Sequence, residues 1–462
     1  MEKTTDTEKT MEQITSLCKR RGFVFQGSDI YGGLKGTWDF GPLGVALNNN
    51  LKREWWKMFV DGREDMYGLD AAILMNPKVW EASGHVAGFF DPLVEDIKTG
   101  ERYRADHLLK DAGVAADGMS LEELDAAIVE KAIKSPKGNE LSPARQFNMM
   151  FESRIGATAG PDGKVYLRPE TAQGIFVNFK NVVDTMAPKL PFGIAQIGKA
   201  FRNEIAPREF LFRVREFEQM EIEYFVAEEN WEAEYEKLRL DIHAWHEHIG
   251  LATENIREYE VPENDLAHYS KRTIDFEYNF PGKGFDELAG FAYRTDHDLK
   301  NHEVASGVKM RYIPAEGKPF IPHVLEPSFG VGRAITAVLC EAYTEDRMND
   351  EVRVYLKLPK HLAPYRVAVS PLLKNKPALV EKARAVFLAL KAEFGNVAWD
   401  DNGNVGKRYR RQDEIGTPAC VVIDFETLGQ EAPELADTVT VRNRDTGAQA
   451  RVTIADLVAY LK

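Results

Sequence analysis

GKAFRNEIAPREFLFRVREFEQMEIEYF, residues 198–225, packs charge and aromatic rings into one segment. Two strand-like runs flank a polar loop that carries Pro207. Arg202, Glu204, Arg208, Arg213, Arg215, Glu216, Glu218, Glu221 and Glu223 are interleaved with phenylalanines. A half-buried hairpin alternates apolar with polar residues and turns few charges inward. This mixture instead suits a surface that grips a flat group and an anion together.

Around that segment stretches a chain of 462 residues, too long for one ordinary core, so two or three domains are expected. With 44% hydrophobic and 29% charged residues, the composition is that of a globular protein. Cys18, Cys340 and Cys420 lie far apart and form no CxxC pair, which argues against a disulfide framework and a cysteine zinc site. The N-terminal residues mix acids with bases and lack a signal-length apolar core, and no apolar run reaches membrane-spanning length. A cytoplasmic protein without membrane contact is expected. The net charge of −14 argues against a surface coated for nucleic acid. The charge is uneven, however. From residue 363 onward 14 basic residues stand against 13 acidic ones, so all of the net negative charge precedes them. A local basic face on the C-terminal part remains open.

Leu43, Leu47, Leu51, Trp55 and Phe59 fall four apart and predict one apolar stripe on a helix over 39–59, with Pro42 in its first turn and Asp39 as a cap. Such a stripe serves the chain's own core or a subunit interface, and the pair Trp55–Trp56 favours attention to the second. Residues 95–165 read as an insertion, with a helix opened by the capping-box pair Ser120 and Glu123. A helix over 228–250 carries His243, His246 and His248 without a supporting ligand pattern. An apolar strand, a Gly turn and an apolar helix follow in IPHVLEPSFGVGRAITAVLCEAY. After a hinge near 356–364, short strands alternate with helices. One helix shows Leu379, Ala383, Val386, Phe387, Leu390 and Phe394 on one face and stops at Gly395. This texture predicts a small α/β domain over 363–462, behind a larger domain over 1–355.

The turn FGVGR lacks the third glycine of a dinucleotide loop, and no GxxxxGK[ST] occurs. What it offers is Arg333 at a helix start, where a guanidinium can stack on a ring and pair with phosphate. Arg202 supplies a second cation, Phe217 a flat ring, and Glu204 and Glu287 carboxylates able to orient an amine or hold Mg²⁺. Adenine between Phe217 and Arg333, with phosphates on the arginines, makes a coherent ATP site.

These segments together resemble class II aminoacyl-tRNA synthetases, and within them the dimeric, single-chain glycyl type. NPKVWEASGH resembles the end of the first class motif, FRNEIAPREFLFRVREFEQMEIEYF the second and EPSFGVGR the third, while RPETAQGIF discriminates among the subfamilies. The resemblance implies an α+β fold: an antiparallel sheet flanked by helices, then a mixed α/β anticodon-binding domain. It implies ATP-dependent activation of glycine to glycyl-adenylate, transfer to the 3′ end of tRNA(Gly), and a homodimer.

Residue by residue, the resemblance puts Arg202, Glu204 and Arg333 in catalysis, with Arg202 on the α-phosphate. Asn203, Phe212, Arg213, Val214, Arg215, Glu216, Phe217, Glu287, Leu288, Gly330, Val331 and Gly332 would complete the ATP pocket, Glu287 near Mg²⁺. Glu170, Glu221 and Glu326 would surround the glycine ammonium beside Ser328. Arg104, Phe217, Glu218, Gln219, Met220, Pro327, Phe329 and Gly330 would add to that pocket. Lys407, Arg408, Arg410, Arg411, Arg442 and Arg444 are candidates for the tRNA face. Some relatives carry a cysteine knuckle before the arginine matched by Arg104; EDIKTGERYRAD has none, so zinc is not expected. The competing expectation is a non-catalytic, synthetase-like accessory subunit that binds nucleic acid.

Overall fold

A computed structural model describes residues 10–116, 118–156, 163–207, 210–348, 351–430 and 432–462. Arg208 lies outside the described residues. A seven-stranded sheet organises the first part. Its strands run in the order Ile256–Glu260, Arg272–Phe280, Gly284–Thr295, His323–Gly330, Glu216–Val226, Phe192–Phe201 and Met66–Gly68. All neighbours are antiparallel except the last pair, which is parallel.

Glu216–Val226, the C-terminal half of the opening stretch, is central in this sheet and buried on both faces. Met220, Ile222, Tyr224 and Val226 enter the main core. Successive side chains alternate across a strand, so Gln219, Glu221, Glu223 and Phe225 share the other face. There Phe225 packs with Phe176 and Phe179 of the helix Ala172–Met186. The sheet therefore turns several carboxyl groups into the protein.

The helix Pro42–Trp56 begins with Gly41 at its cap, in place of Asp39. Leu47, Leu51 and Trp55 are inaccessible, and Phe59 nearly so. They pack with Phe329 and Trp245 inside the main core. The stripe is thus internal, which removes it as an intersubunit face. Its neighbour Trp56 lies over Gly68, where a Cβ would sit 2.5 Å from the indole; a bare backbone is needed there.

Part of the insertion folds on its own small core. Strands Arg102–Arg104, Phe90–Glu95 and Arg145–Asn148 form a sheet. Val94, Ala105, Leu109, Leu124 and Ile128 fill the space under it. The Ser120–Glu123 capping box forms. Asp96 is fully buried and accepts from Ser135 at 2.6 Å, Asn139 at 3.0 Å and the amides of Lys98 and Thr99. This holds its carboxyl well below the usual range against the opposing effect of burial. The backbone amide of Asn203 donates to the Met149 carbonyl at 2.7 Å and docks this unit on the sheet.

The C-terminal part carries a mixed five-stranded sheet, ordered Val397–Trp399, Val367–Pro371, Ala419–Ile423, Thr438–Asn443 and Gln449–Thr453. Its first three strands are parallel and the remaining pairs antiparallel. The helix Pro377–Phe394 buries Leu379, Ala383, Val386, Phe387 and Leu390 against it and ends at Gly395, φ 72°. The segment expected as a hinge is firmly anchored. Leu356, Leu358 and Leu362 lie in the main core, and the Asn50 amide donates to the carbonyls of Leu362 and Ala363.

Candidate active site

A cleft of about 380 Å³ opens at the ends of the central strands. Arg202, Glu204, Phe212, Arg213, Val214 and Phe217 line it from the opening stretch, Arg104 from the insertion, Glu287, Leu288 and Gly330 from the two strands beyond, and Gly332 and Arg333 from the helix that follows. The Arg202 guanidinium lies 5.3 Å from the Phe217 ring and 5.6 Å from Phe89, and donates to the Pro169 carbonyl at 3.1 Å. Arg333 sits in the first turn of Val331–Ala342, over the Phe212 ring at 4.5 Å, with a 2.9 Å ion pair to Glu287. That guanidinium, outweighing burial, lowers the Glu287 carboxyl. Arg104 bridges Asp91 at 2.9 Å and Asp106 at 2.6 Å. Burial nevertheless raises Asp91 to about 6.

Beneath this cleft the acids converge. Glu170 precedes the helix Ala172–Met186 and meets His85 at 3.3 Å and Gln173 at 3.1 Å. Glu221 accepts from Ser328 at 2.8 Å and from the Thr171 hydroxyl. Glu326 accepts from Arg294 at 2.8 Å. Arg294 also holds Asp298 through two bonds of 2.8 and 2.9 Å and lies 3.9 Å from the Tyr269 ring. Burial pushes each carboxyl up, but the outcomes differ. His85 and Arg294 bring Glu170 well below the usual range. Glu221 stays raised by burial and the Glu170 charge, and Glu326 reaches about 8. Three carboxyl groups presented together from separate elements can hold an ammonium, compensating its lost hydration.

Several expected site residues turn elsewhere. Met220 and Phe329 point into the main core, because a strand presents alternate residues to one face, and Val331 joins them from the first turn of the helix Val331–Ala342. Any contact they make with a ligand is through backbone. Pro327, on the same strand as Phe329 and two residues before it, shares that alternation and is buried. Glu218, by contrast, lines the cleft, held there by Asn48 and Lys52 of the first long helix at 2.9 and 2.8 Å. Glu216 pairs with Lys199 on an exposed edge. Arg215 donates to the carbonyls of Lys35 and Glu204 and so braces the loop. Gln219 and Ser328 lie between cleft and acids, with the Gln219 amide donating toward Glu221 at 3.3 Å.

His85, Thr171, Gln173, Arg294 and Asp298 are site residues that the sequence pattern does not single out. Arg294 had a signal: in FAYRTDHD a guanidinium ends an apolar strand, with an acid four residues later. A buried cation requires such a partner. His85, by contrast, meets Glu170 across 85 positions, and no local pattern reports that pairing.

Among the described residues no cluster of three or more His, Cys, Asp or Glu side chains is arranged to hold a metal ion. Of the acids lining the cleft, Glu287 fits the role of one ligand to an ion arriving with a triphosphate.

The C-terminal arginines divide into two sets. Arg408, Arg442 and Arg444 are each 4% exposed, which removes them from a solvent-facing RNA surface. Arg408 donates to the carbonyls of Pro371 and Gly403, Arg442 grips Asp413 at 2.8 and 2.9 Å, and Arg444 donates to Leu358 and Gly416 carbonyls. They hold the domain together. Lys407 and Arg410 remain outside, Arg410 paired with Glu351, while half-buried Arg411 meets Asp400 at 2.6 Å. They border a cleft of about 1120 Å³ that also reaches Arg21 and Arg353.

Residues 158–343 match the family model described as tRNA synthetase class II core domain (G, H, P, S and T), and residues 366–462 match the anticodon binding domain. The chain is 47% identical to the glycine–tRNA ligase of Deinococcus radiodurans, 46% to that of Thermus thermophilus and 48% to that of Clostridium acetobutylicum. Each comparison covers 98% of both chains. An anticodon-binding domain behind a class II core, with nearly half of all positions shared over almost the whole length, makes the chain a member of the glycine–tRNA ligase family.

Proposed function

We propose that this chain is a glycine–tRNA ligase that activates glycine with ATP and transfers it to tRNA(Gly). The observation that carries the reading is the stacked arrangement of a cationic, aromatic cleft over three converging carboxyl groups. The carboxylate oxygen of glycine attacks the α-phosphorus in line. The bond to the β-phosphate bridging oxygen breaks, pyrophosphate leaves and glycyl-adenylate remains. Arg202 holds the α-phosphate, and adenine stacks on Phe217 with Arg333 moving from Phe212 to close the other face. Asn203, Glu204, Arg213 and the backbone around Gly330 and Gly332 shape the pocket. Glu287 would help hold Mg²⁺ carried in with ATP, and the ion would supply neutralisation of phosphate charge. The protein contributes positioning and fixed charge, without a covalent nucleophile.

Glu170, Glu221 and Glu326 take the ammonium, with Ser328 fixing Glu221. Glycine is the smallest amino acid, so a pocket filled to its outline rejects every other by a clash. No smaller competitor exists, which spares the enzyme the weak discrimination of about 1–3 kcal/mol per methylene that a smaller substrate would impose. The terminal ribose hydroxyl of tRNA then attacks the adenylate carbonyl and AMP leaves.

The division of labour follows the same reading: residues 1–355, with their insertion at about 95–165, perform activation, and residues 363–462 receive the tRNA. A homodimer is part of the proposal, supported by the exposed apolar side chains of Phe25, Ile30, Tyr31 and Leu34. Three buried cysteines, none of them in a disulfide, suit a reducing cytoplasm. The accessory-subunit reading is disfavoured because Arg202, Glu287 and Arg333 are all present at one cleft. Glycine-dependent ATP–pyrophosphate exchange tests the proposal. Exchange with glycine and not with alanine or serine is the expected result, and its absence from a folded chain overturns it.

A further inference from the structure

Beside Glu221, on the same face of the central strand, lies another acid. Glu221 pairs with Ser328 and Tyr224 with Leu325, so the same register sets Glu223 opposite Glu326. Glu223 is fully buried, and neither of its oxygens has a hydrogen-bond partner among the described residues. The oxygens of Gln219 and of Gln196, which sits opposite Glu221, are buried and unpartnered there as well. Unmet buried acceptors are costly. This pocket is short of donors.

It is also short of cations. The groups acting on Glu223 are Glu221 from its own strand, Glu326 from His323–Gly330, Arg294 from Gly284–Thr295 and Asp298 from His297–Ser306. Glu170, with His85 at its carboxylate, and the Tyr269 hydroxyl complete the surroundings. The guanidinium of Arg294 is already committed to Asp298 and Glu326. Arg168 is a second buried cation that acts on Glu221 while its guanidinium donates to the carbonyls of Lys199 and Ala71. Five largely buried carboxyl groups with two arginines still cannot all be ionised. Burial and the opposing Glu326 accordingly push Glu223 well above the usual range.

We propose that Glu223 and Glu326 hold a proton between them in the amino-acid-free enzyme, and that the ammonium of glycine displaces it to solvent on binding. One cation enters and one proton leaves, so the buried charge is conserved and no bond other than O–H is broken. Glu223 thus acts through Glu326 as a positioning residue. The proposal rests on the reading that the amine binds among Glu170, Glu221 and Glu326.

The test is the glycine KM in pyrophosphate exchange, at saturating ATP, between about pH 6 and pH 8, where free glycine stays an ammonium. Exchange of one proton makes KM fall by up to about tenfold per pH unit as pH rises. Glu223→Gln, isosteric with the neutral acid, should flatten that dependence to less than about twofold across the range and leave the KM for ATP unchanged. A flat profile in the wild-type chain overturns the proposal, as does a Glu223→Gln enzyme with the wild-type slope. Calorimetric titration of the wild-type chain with glycine, in two buffers of different ionisation heat, reads the released proton without any variant; no release at pH 7 also overturns it. Glu326→Gln separates the two levels. An unchanged glycine KM there removes the amine from this site and sinks the functional reading itself. A raised KM with a flat wild-type profile leaves that reading standing and rejects only the proton exchange.

Discussion

Arg202 is distinguished from the other arginines of its segment by what it leaves unbonded. Arg215 spends its guanidinium on the carbonyls of Lys35 and of Glu204 in the loop, whereas Arg202 gives one nitrogen to Pro169 and keeps its plane between two rings at the cleft. A cation fixed this way meets growing phosphate charge without reorganising. Arg202→Ala should therefore slow pyrophosphate exchange by about 10²–10³-fold, with the thermal unfolding of the chain little changed. Near-normal exchange would remove Arg202 from the α-phosphate. The acids beneath set a pH signature of their own. Asp275, on the strand Arg272–Phe280 near Glu287 and Arg333 rather than in the cluster, is raised to about 7 by burial and the Glu287 charge, and Glu326 to about 8. The unfolded chain has released both protons by about pH 5, while the folded chain still binds them. Stability of the ligand-free protein must then fall as pH rises toward 8, by on the order of 1 kcal/mol per pH unit for each proton held. Calorimetric unfolding between about pH 6.5 and pH 8 checks this; a flat or rising stability would contradict the assigned protonation states.

At the scale of elements, the long helices declare themselves through spacing. Leu43 to Phe59 and Leu379 to Leu390 repeat at helical intervals and are buried as that pattern requires. The pattern gives the face of a helix and is silent about what covers it. Hence the first stripe invited a subunit interface, and the structure instead packs it on Phe329 and Trp245. The second class motif was legible as a strand pair, yet its residue roles were blurred by the strand's period of two. Glu221 reaches the acid pocket, while Met220 beside it reaches the core. Pairings across long separations, such as His85 with Glu170 or Arg294 with Glu326, have no local signature at all. These observations give an opposed pair of outcomes. Leu51→Ala should cost about 2–5 kcal/mol of stability without changing the oligomeric state. The double variant Ile30→Asp, Tyr31→Asp should keep its stability and become monomeric, since both side chains are almost wholly exposed. Sedimentation velocity at micromolar protein reads both. A dimer that survives the double change would place the interface elsewhere, and a monomeric wild-type chain would remove the dimer.

For the whole molecule the question is how an acidic protein receives a polyanion. Residues after 362 are nearly neutral, while those before carry all of the net negative charge. Near-neutrality alone does not make a binding face, because three of the six candidate cations are structural: Arg408, Arg442 and Arg444 satisfy carbonyls and Asp413 inside the domain. Of the candidates, Lys407, Arg410 and Arg411 remain on the helix Val405–Glu414, facing a cleft that also reaches Arg21; Arg353 in that cleft is buried on Asp346 and Asp413. That cleft joins both parts of the chain, and the anchored Leu356–Leu362 segment keeps its two walls together. Cutting the chain there would expose core leucines, so charge reversal in the intact protein is the cleaner test. Lys407→Glu with Arg410→Glu should leave glycine-dependent pyrophosphate exchange at the wild-type rate, since neither residue lies near the ATP cleft. Charging of tRNA(Gly) should weaken, and the dependence of log kcat/KM for tRNA on log salt should become shallower by about one unit for each phosphate that is no longer neutralised. Repeating the reversal at Asp413 partners would confuse this result, because Arg442 and Arg353 both depend on that buried carboxylate. Unchanged charging with an unchanged salt slope would show that tRNA docks away from this cleft; loss of exchange as well as charging would show that the two parts of the molecule do not divide the work between activation and tRNA binding.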